Sequence, residues 1–255
     1  MIDYGYVDLH SHSLWGIDDG APDLDTSLEM CRLAHETGTD YLFLTPHLIH
    51  WSDAGVLYDI REERTEYLQN LLHSEGRELT LVKGFEILCD DDIFSVKYFE
   101  PYTLNKSRYL LIEFSFNRTT EEDVNAWCDY IISYGLVPVI AHPERYEFVK
   151  NDISVIERLS DKGCLFQVNC GSVVGVFGER EANIALKMLY AGYVDFIGSD
   201  AHDLRWRTTD MYAFLRDYPD NLPEGVLDNA LFRNPQKVIN NEAITPKRLN
   251  SLLIY

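Results

Sequence analysis

The 255-residue sequence has few basic residues for its length. Lysines and arginines number 22 against 42 aspartates and glutamates, which gives a formal net charge of −20. Nucleic-acid binding depends on basic surface that displaces counterions from phosphates. The composition therefore argues against a general nucleic-acid-binding protein, although it places no constraint on the fold.

Long apolar segments and a leader sequence are also missing. The longest apolar runs, such as residues 109–116 with Glu113 inside, are too short to span a bilayer. The opening residues MIDYGYVDLHSH have no basic head followed by an apolar stretch, so we expect no signal peptide. The cysteines are odd in number and form no C-x-x-C pair. These features together predict reduced thiols, a cytoplasmic location and no membrane insertion.

The sequence does contain short apolar segments that alternate with helical segments about seven times. The predicted strands cover residues 6–10, 41–45, 79–87, 109–114, 137–141, 165–168 and 194–198. The predicted helices begin near Thr26, where Thr26-x-x-Glu29 resembles a capping box, and continue with residues 58–73, 119–134, 153–162 and 179–191. Residues 89–107 show no regular pattern.

Strands that alternate with helices imply right-handed βαβ units and a parallel sheet. Seven units favour an α/β fold of the closed or nearly closed barrel type, as a single domain over residues 1–255. A doubly wound sheet is the alternative, but no glycine-rich phosphate loop follows the first strand. The tail over residues 207–255, interrupted by four prolines, is predicted to form helices that pack outside the barrel.

Histidines and acids fall at the downstream ends of the predicted strands. They are His10, His12, His47, Glu86, Glu113, His142, Asp200 and His202. The carboxyl ends of parallel strands meet at one face, where ligands bind. Imidazoles and carboxylates without thiolates are typical of a cluster of divalent metal ions.

The first two histidines illustrate the geometry. His10 and His12 stand two residues apart, so on an extended strand both point to the same side. Asp18 and Asp19 in the next loop compete for a ninth ligand position, and their spacing does not separate them. Asn169 could line the site without ligating. Glu113 by itself would suggest a structural salt bridge, but the joint pattern favours a metal site.

The charge balance of such a site points to anions. Three divalent ions would carry six positive charges. The four carboxylates would contribute four negative charges, from Asp19, Glu86, Glu113 and Asp200. The surplus would attract an anion and lower the pKa of a bridging water. A mixed nitrogen and oxygen donor set suits Mn²⁺, Fe²⁺ or Zn²⁺.

Two arginines follow the histidine motifs in loops above this face. Arg145 follows His142 by three residues, and Arg207 follows His202 by five. A guanidinium group favours bidentate contact with phosphate oxygens, so both are candidate phosphate-binding residues. Arg205 is the rival candidate for the role of Arg207. Three tryptophans near the predicted mouth, at positions 15, 51 and 206, could either wall an aromatic substrate or pack within their loops.

The motifs HSH, DDG, TPH, GFE, LIEFS, VIAHPERY and SDAH, in this order, resemble the PHP superfamily of metal-dependent phosphoesterases. More narrowly, VIAHPERY, LIEFS and SDAH with a later arginine resemble the bacterial PHP-type protein-tyrosine phosphatases of capsule and exopolysaccharide operons. The resemblance runs from about His10 to Arg207. It implies a distorted (β/α)₇ barrel with a trinuclear site that is usually manganese-dependent. The nine donors by themselves can hold two or three divalent ions.

The resemblance also implies a ligand set. One ion would be held by His10, His12, Glu86 and Asp200. A second would be held by Glu86, Glu113 and His142, and a third by Asp19, His47 and His202. Arg145 and Arg207 match the phosphate-binding arginines of the family.

The function implied is hydrolysis of a phosphomonoester, most specifically of phosphotyrosine on the tail of a bacterial tyrosine autokinase that controls polysaccharide export. The alternatives are a phosphatase for histidinol phosphate or another small phosphomonoester, and a non-catalytic metal-binding regulatory module. Nuclease activity is disfavoured by the acidic composition. No C-x₅-R loop of the thiol-dependent tyrosine phosphatases is present. The sequence does not decide whether His47 or Asp203 assists as a general acid, and it leaves the oligomeric state open.

Overall fold

The computed structural model describes residues 5–254, so Met1 to Tyr4 and Tyr255 of the predicted domain and tail lie outside the described residues. All strand ladders within this range are parallel. The strands are β1 (Tyr6–Ser11), β2 (Thr39–Leu44), β3 (His47–Leu48), β4 (Thr80–Lys83), β5 (Glu86–Leu88), β6 (Tyr109–Glu113), β7 (Val137–Ala141), β8 (Leu165–Asn169) and β9 (Phe196–Gly198). One sheet has the order β1-β2-β4, and the other has the order β3-β5-β6-β7-β8-β9.

Helices connect most of these strands. They are α1 (Leu24–Glu36), α2 (Ala54–Ser74), α3 (Glu121–Ser133), α4 (Glu147–Asn151), α5 (Ser154–Lys162), α6 (Cys170–Val173), α7 (Glu179–Ala191), α8 (Met211–Leu215), α9 (Val226–Asp228) and α10 (Asn234–Ile239). The predicted α/β class with a parallel sheet is thus confirmed. Residues 89–107, left unassigned by the sequence, contain three short 3₁₀ turns.

The prediction of one continuous strand over residues 79–87 is wrong. Gly84 and Phe85 separate β4 from β5, and the two strands belong to different sheets. Pro46 lies at the matching break between β2 and β3. The backbone still bonds across both breaks, since the Gly84 N–H donates to Leu44 O at 3.0 Å and the Glu86 N–H donates to Pro46 O at 3.1 Å. The ladders of the described residues therefore form two sheets rather than one closed ring.

The helix starts show how capping chemistry sets the boundaries. Helix α1 begins at Leu24 because the carboxylate of Asp23 accepts the Thr26 N–H at 2.8 Å. The predicted start near Thr26 is therefore two residues late. Helix α3 falls within its predicted range of 119–134, and it begins at Glu121 because Thr120 and Asp123 form a reciprocal capping box.

Strand β6 shows how the sheet positions a functional side chain. Leu110 and Ile112 pack in the cluster that contains the buried face of α3. Tyr109 and Leu111 point to the other face and pack with the inward side chains of the neighbouring strands. Because side chains alternate along a strand, Glu113 continues this inward row at the carboxyl end.

The C-terminal tail is anchored by an ion pair between Arg248 and the buried Asp195, which directly precedes β9. The guanidinium of Arg248 donates to both oxygens of Asp195 at 2.9 and 3.0 Å, and to Gly192 O at 2.9 Å. The tail contains α8, α9, α10 and short 3₁₀ and π turns, as expected for a proline-interrupted segment. Within residues 5–254, none of the helices is long and apolar enough to cross a membrane.

Candidate metal centre

Four buried donors from four separated parts of the chain face one point. The Nε2 atoms of His10 and His12 are 3.1 Å apart. Each lies 3.2 Å from Glu86 Oε2 and 3.5 Å from Asp200 Oδ1. All four side chains are at most 1% exposed. The strand ends thus converge as the sequence predicts.

The remaining nitrogen of each imidazole is held by a partner outside the cluster. His10 Nδ1 lies 2.7 Å from Gln167 Oε1, and His12 Nδ1 lies 2.7 Å from Asp18 Oδ2. An acceptor on Nδ1 places the proton there and directs the Nε2 lone pair inward. Gln167 and Asp18 therefore orient the rings.

The Asp-Asp-Gly motif assigns different contacts to its two acids. Besides His12, Asp18 accepts the backbone N–H groups of Gly20 and His47, both at 3.0 Å. Asp19 instead reaches the other side of the pocket, with Oδ1 at 3.4 Å from His202 Nε2 and 3.5 Å from His47 Nε2. Geometry thus favours Asp19 over Asp18 as the ninth candidate ligand.

The glycine of this motif has a steric role. A Cβ on Gly20 would lie 2.0 Å from His12 O. The loop can therefore fold back onto His12 only with glycine here. This contact brings the two acids beside the imidazoles.

His47 lies between two groups of donors. Its Nδ1 is 3.1 Å from Glu86 Oε2 and 3.0 Å from Glu113 Oε1. His142 approaches the same acids from another side, with Nε2 at 2.9 Å from Glu86 Oε1 and 3.9 Å from Glu113 Oε2. Glu86 is consequently shared by four imidazoles.

Three overlapping sets in the described chain have donor atoms that lie within 4.8 Å of one another. They are His10, His12, Glu86 and Asp200; His47, Glu86 and Glu113; and His12, Asp19, His47 and His202. The first set equals the one implied by the family resemblance. In the second set His47 takes the place expected for His142, which lies beside it, and the third set gains His12.

The electrostatics of the cluster favour cations. Burial raises the pKa of the Glu86 carboxyl, but His10, His12 and His142 outweigh it and hold that pKa well below its usual range. Burial lowers the pKa of His47, yet Glu113 and Glu86 raise it to about 11, and the pKa of His10 rises to about 9 beside Glu86 and Asp200. The Glu86 carboxylate thus stays ionised and draws positive charge into the pocket.

His202 behaves in the opposite way. Burial and then the neighbouring His12 lower its pKa to about 3. Its imidazole is consequently neutral at physiological pH. A neutral imidazole is the form that binds metal ions.

Orphaned atoms test whether the cluster suits metal ions. Glu86 Oε2 and His47 Nδ1 are buried and have no hydrogen-bond partner, although they lie within about 3.2 Å of other donors. A buried carboxylate oxygen without a hydrogen bond is costly. A divalent cation at the shared centre would satisfy both atoms, so the donor set fits a metal cluster.

Two site residues have strained backbones. His142 has φ 34° and Asp200 has φ 52°, both in the left-handed region. Such conformations cost about 1–3 kcal/mol each in residues other than glycine, and they concentrate at functional sites. The strain places each side chain inside the cluster directly after its strand.

The arginines meet at one carboxylate. Arg207 Nη2 lies 2.5 Å and Arg145 Nη1 lies 3.3 Å from Asp200 Oδ2, and Asn169 donates to the same oxygen at 2.7 Å. Arg205 is exposed, and only its backbone N–H is engaged with Asp203. Arg207 rather than Arg205 therefore lies at the site.

Two aromatic rings restrict the side chain of Arg145. The Arg145 guanidinium carbon lies 4.5 Å from the Phe116 ring centre and 4.8 Å from that of Phe177. These phenylalanines, like Gln167, are absent from the sequence prediction. Gln167 could have been found from the sequence, because it is a polar residue inside the apolar strand β8. Phe177 could not, because it lies in a loop without periodicity.

A buried arginine supports the segment that carries Glu86. Arg61, on α2, is 1% exposed. It donates to Gly84 O and to Pro101 O, both at 3.1 Å, and its guanidinium lies 4.5 Å from the Phe85 ring centre. It therefore holds both residues at the break between β4 and β5.

A parallel α/β fold with a cluster of imidazoles, carboxylates and two arginines at its strand ends defines a candidate multinuclear metal centre with an anion-binding edge. Comparison with known sequences identifies the family. The chain belongs to the family described as capsular polysaccharide synthesis, CpsB/CapC, which matches residues 6–240. The resemblance drawn from the motifs is thus confirmed.

Individual relatives agree with this membership. The chain is 28% identical over 251 residues to the tyrosine-protein phosphatase YwqE of Bacillus subtilis, covering 93% of this chain and 98% of that protein. It is 28% identical over 247 residues to the tyrosine-protein phosphatase CpsB of Streptococcus pneumoniae, covering 93% and 100%.

A solved structure is similar as well. It comes from crystal structures of YwqE from Bacillus subtilis and CpsB from Streptococcus pneumoniae, described as unique metal-dependent tyrosine phosphatases. The TM-score is 0.79 at 28% identity, over 96% of this chain and 100% of that one.

Proposed function

We propose that this protein is a metal-dependent protein-tyrosine phosphatase. The observation that carries the proposal is the convergence of nine oxygen and nitrogen donors beside two arginines. Relatives named tyrosine-protein phosphatases, matched over nearly their whole length, support it. The proposed reaction is hydrolysis of a phosphomonoester.

We propose that two or three divalent ions, with Mn²⁺ as the first candidate, bind the nine residues His10, His12, Asp19, His47, Glu86, Glu113, His142, Asp200 and His202. Five imidazoles and four carboxylates without a thiolate support this assignment. Bound ions would supply a water of lowered pKa and neutralise phosphoryl charge.

The arginines would bind the phosphoryl group. Arg145 and Arg207 both approach Asp200 Oδ2, so their remaining N–H groups can converge on an anion above the cluster. Phe116 and Phe177 restrict the Arg145 side chain, which lowers the entropy cost of binding. Such fixed donors stabilise charge on the phosphoryl oxygens.

Neither residue considered as a general acid is positioned for that role. His47 faces carboxylates with both nitrogens. Asp203 Oδ1 accepts the backbone N–H groups of Arg205 and Trp206, both at 2.6 Å. A phenolate is a fair leaving group, so we propose a reaction that does not depend on an acid from either residue.

We propose a phosphotyrosine-bearing protein as substrate, and the tail of a bacterial tyrosine autokinase as its specific form. The family's link to capsular polysaccharide synthesis supports a role in controlling polysaccharide export. A cytoplasmic location is part of this proposal, and the five buried free cysteines agree with it.

We also propose that the two sheets form one distorted (β/α)₇ barrel within a single domain over residues 1–255. A parallel bridge between Ser11 and Ala201 supports closure on one side, and the bonds across the breaks at Pro46 and Gly84 support it on the other. The Arg248–Asp195 pair supports inclusion of the tail.

The test compares substrates and variants of the Mn²⁺-loaded protein. We expect turnover of a phosphotyrosyl peptide and p-nitrophenyl phosphate, and slower turnover of histidinol phosphate. Arg145→Ala should lower kcat/KM by about 10²–10³-fold, as loss of a fixed donor to developing charge does. Arg180→Ala is the matched control, because Arg180 is 53% exposed and pairs with a surface glutamate.

Two results would contradict the proposal. One is a metal-loaded protein that leaves both aryl phosphates intact, and the other is an Arg145→Ala variant with wild-type kinetics. Faster turnover of histidinol phosphate than of the peptide would favour the small-molecule alternative.

A further inference from the structure

A cleft of about 460 Å³ leads from the surface to one edge of the metal cluster. Its lining includes three candidate metal ligands, the part-buried His47 and Glu113 and the exposed Asp19. Arg145, Arg207 and Asp200 are not among its lining residues. The cleft and the arginines therefore approach different members of the same cluster.

Four aliphatic side chains line this cleft together with Asp18 and the exposed His50 and Asp53. Ile17 comes from the loop after β1, Ile49 from the loop after β3, Leu57 from the first turns of α2, and Leu88 from the end of β5. Ile49 is 47% exposed, and the other three are partly buried. Four aliphatic side chains from four segments thus border a space that ends at metal-ligand candidates.

This arrangement matches the two halves of an aryl phosphate. The phosphoryl group needs cations and N–H donors, which the cluster and the arginines provide. The aromatic ring gains free energy from burial against apolar side chains. An alkyl phosphate with a polar chain would gain nothing from these walls.

The tryptophans do not form this surface. Trp15, Trp51 and Trp206 are absent from the cleft lining. Trp15 packs edge-on against Tyr67, and Trp51 packs edge-on against Phe99 and Tyr102. Selectivity for an aromatic group would therefore come from aliphatic side chains.

We propose that the cleft bordered by Ile17, Ile49, Leu57 and Leu88 holds the aromatic ring of the substrate and sets selectivity for aryl over alkyl phosphomonoesters. The inference rests on the proposed phosphatase function. Ile49 and Leu57 are its selectivity residues, since Ile49 is the most exposed of the four and Leu57 lies on α2, which carries no candidate ligand.

The first experiment measures binding in the metal-loaded protein. Calorimetric titration compares phenylphosphonate with methylphosphonate, which share the anionic group and differ in the ring. Wild-type protein should bind phenylphosphonate about tenfold more tightly. Ile49→Ala combined with Leu57→Ala should reduce that preference to about twofold, because the buried apolar contact is lost.

The second experiment measures turnover with the same variants. The ratio of kcat/KM for phosphotyrosyl peptide to that for phosphoserine should fall about tenfold in the double variant and less in each single variant. Val56→Ala is the matched control, since Val56 is a neighbouring aliphatic residue, 64% exposed and outside the cleft. Thermal unfolding of every variant monitors folding, and the single variants serve if the double variant is unstable.

The outcomes separate the two proposals. Wild-type hydrolysis of aryl phosphates with an unchanged aryl preference in all the cleft variants would overturn the cleft assignment alone. No hydrolysis of any phosphomonoester by the metal-loaded wild-type protein would overturn the phosphatase function and the cleft assignment with it. An equal loss in Val56→Ala and in the cleft variants would also overturn the assignment.

Discussion

Replacement of Arg61 by methionine should destabilise the protein strongly, because Arg61 is a buried cation at the break that carries Glu86. It donates to the carbonyls Gly84 O and Pro101 O, and it donates to and pairs with the part-exposed Glu62, its only ion-pair partner among the described residues. Methionine fills a similar volume but leaves both carbonyls without this donor.

The magnitude follows from these contacts. A hydrogen bond from a charged donor contributes about 1.5–3 kcal/mol, and stacking on Phe85 and Tyr58 adds about 1 kcal/mol. Methionine offsets about 1–3 kcal/mol of this loss, because its side chain buries apolar surface and no charge has to be desolvated. We therefore expect a net loss of about 3 kcal/mol in the free energy of unfolding.

Urea denaturation of the metal-free protein measures this change. Arg61→Lys should lose about half as much, because an ammonium keeps the charge but cannot reach both carbonyls as a guanidinium does. Arg216→Met is the control on an arginine that is 61% exposed, and it should change stability by less than about 0.5 kcal/mol.

The same variants should show whether Arg61 positions Glu86 or contributes only to packing. If Arg61 positions Glu86, the Arg61→Met variant should bind Mn²⁺ more weakly than the wild type at low urea concentrations, where the variant is still folded. A loss below about 1 kcal/mol in Arg61→Met, with Mn²⁺ affinity equal to that of the wild type, would refute this account.

Three further predictions concern a substitution, the pH dependence of stability and thiol labelling. Asp18→Asn should reduce Mn²⁺ affinity by about 10–100-fold, because Asp18 orients His12 without facing the cluster itself. Equilibrium dialysis measures this affinity, and an unchanged value would argue against the role of Asp18. The pKa of His10 is raised to about 9, so the stabilisation from its protonated form, up to about 3 kcal/mol, is full below about pH 6.5 and lost as the pH rises through 9. Unfolding of metal-free protein between pH 6.5 and 9.5 should show this loss, and His10→Gln should lack it. All five cysteines are buried, and burial raises the pKa of the Cys31 thiol to about 12. A thiol reagent should therefore label the native protein far more slowly than the urea-unfolded protein, and rapid labelling of the native state would contradict the structure.

Much of the site was readable from the sequence because parallel strands deliver their ends to one face. His10 and Glu113 lie at the downstream ends of apolar strands, Asp200 follows one, and the structure brings all three into one cluster. The choices left open needed coordinates. Asp18 and Asp19 are adjacent and chemically identical, and only the turn closed by Gly20 sends one to His12 and the other towards His202.

The fold prediction failed where a hydrophobic pattern does not show which sheet a strand joins or where a helix begins. Residues 79–87 keep apolar side chains on both sides of Gly84, so the pattern could not reveal that Gly84 and Phe85 carry the chain from one sheet to the other. The start of α1 was misplaced because Asp23 and Thr26 are both good capping residues, and local sequence does not rank them.

The parallel α/β class, the family and the residues that converge could all be predicted from the sequence, because strand ends and periodicity are local properties. Three features could not: which acid orients His12 and which faces the cluster, that Arg207 rather than Arg205 lies at the site, and that aliphatic side chains border a cleft beside it. These depend on loop paths and on contacts between residues far apart in the chain, for example Arg61 with Pro101 and Gln167 with His10. No periodic pattern encodes such contacts, because they arise only when the packed elements fix the position of each loop.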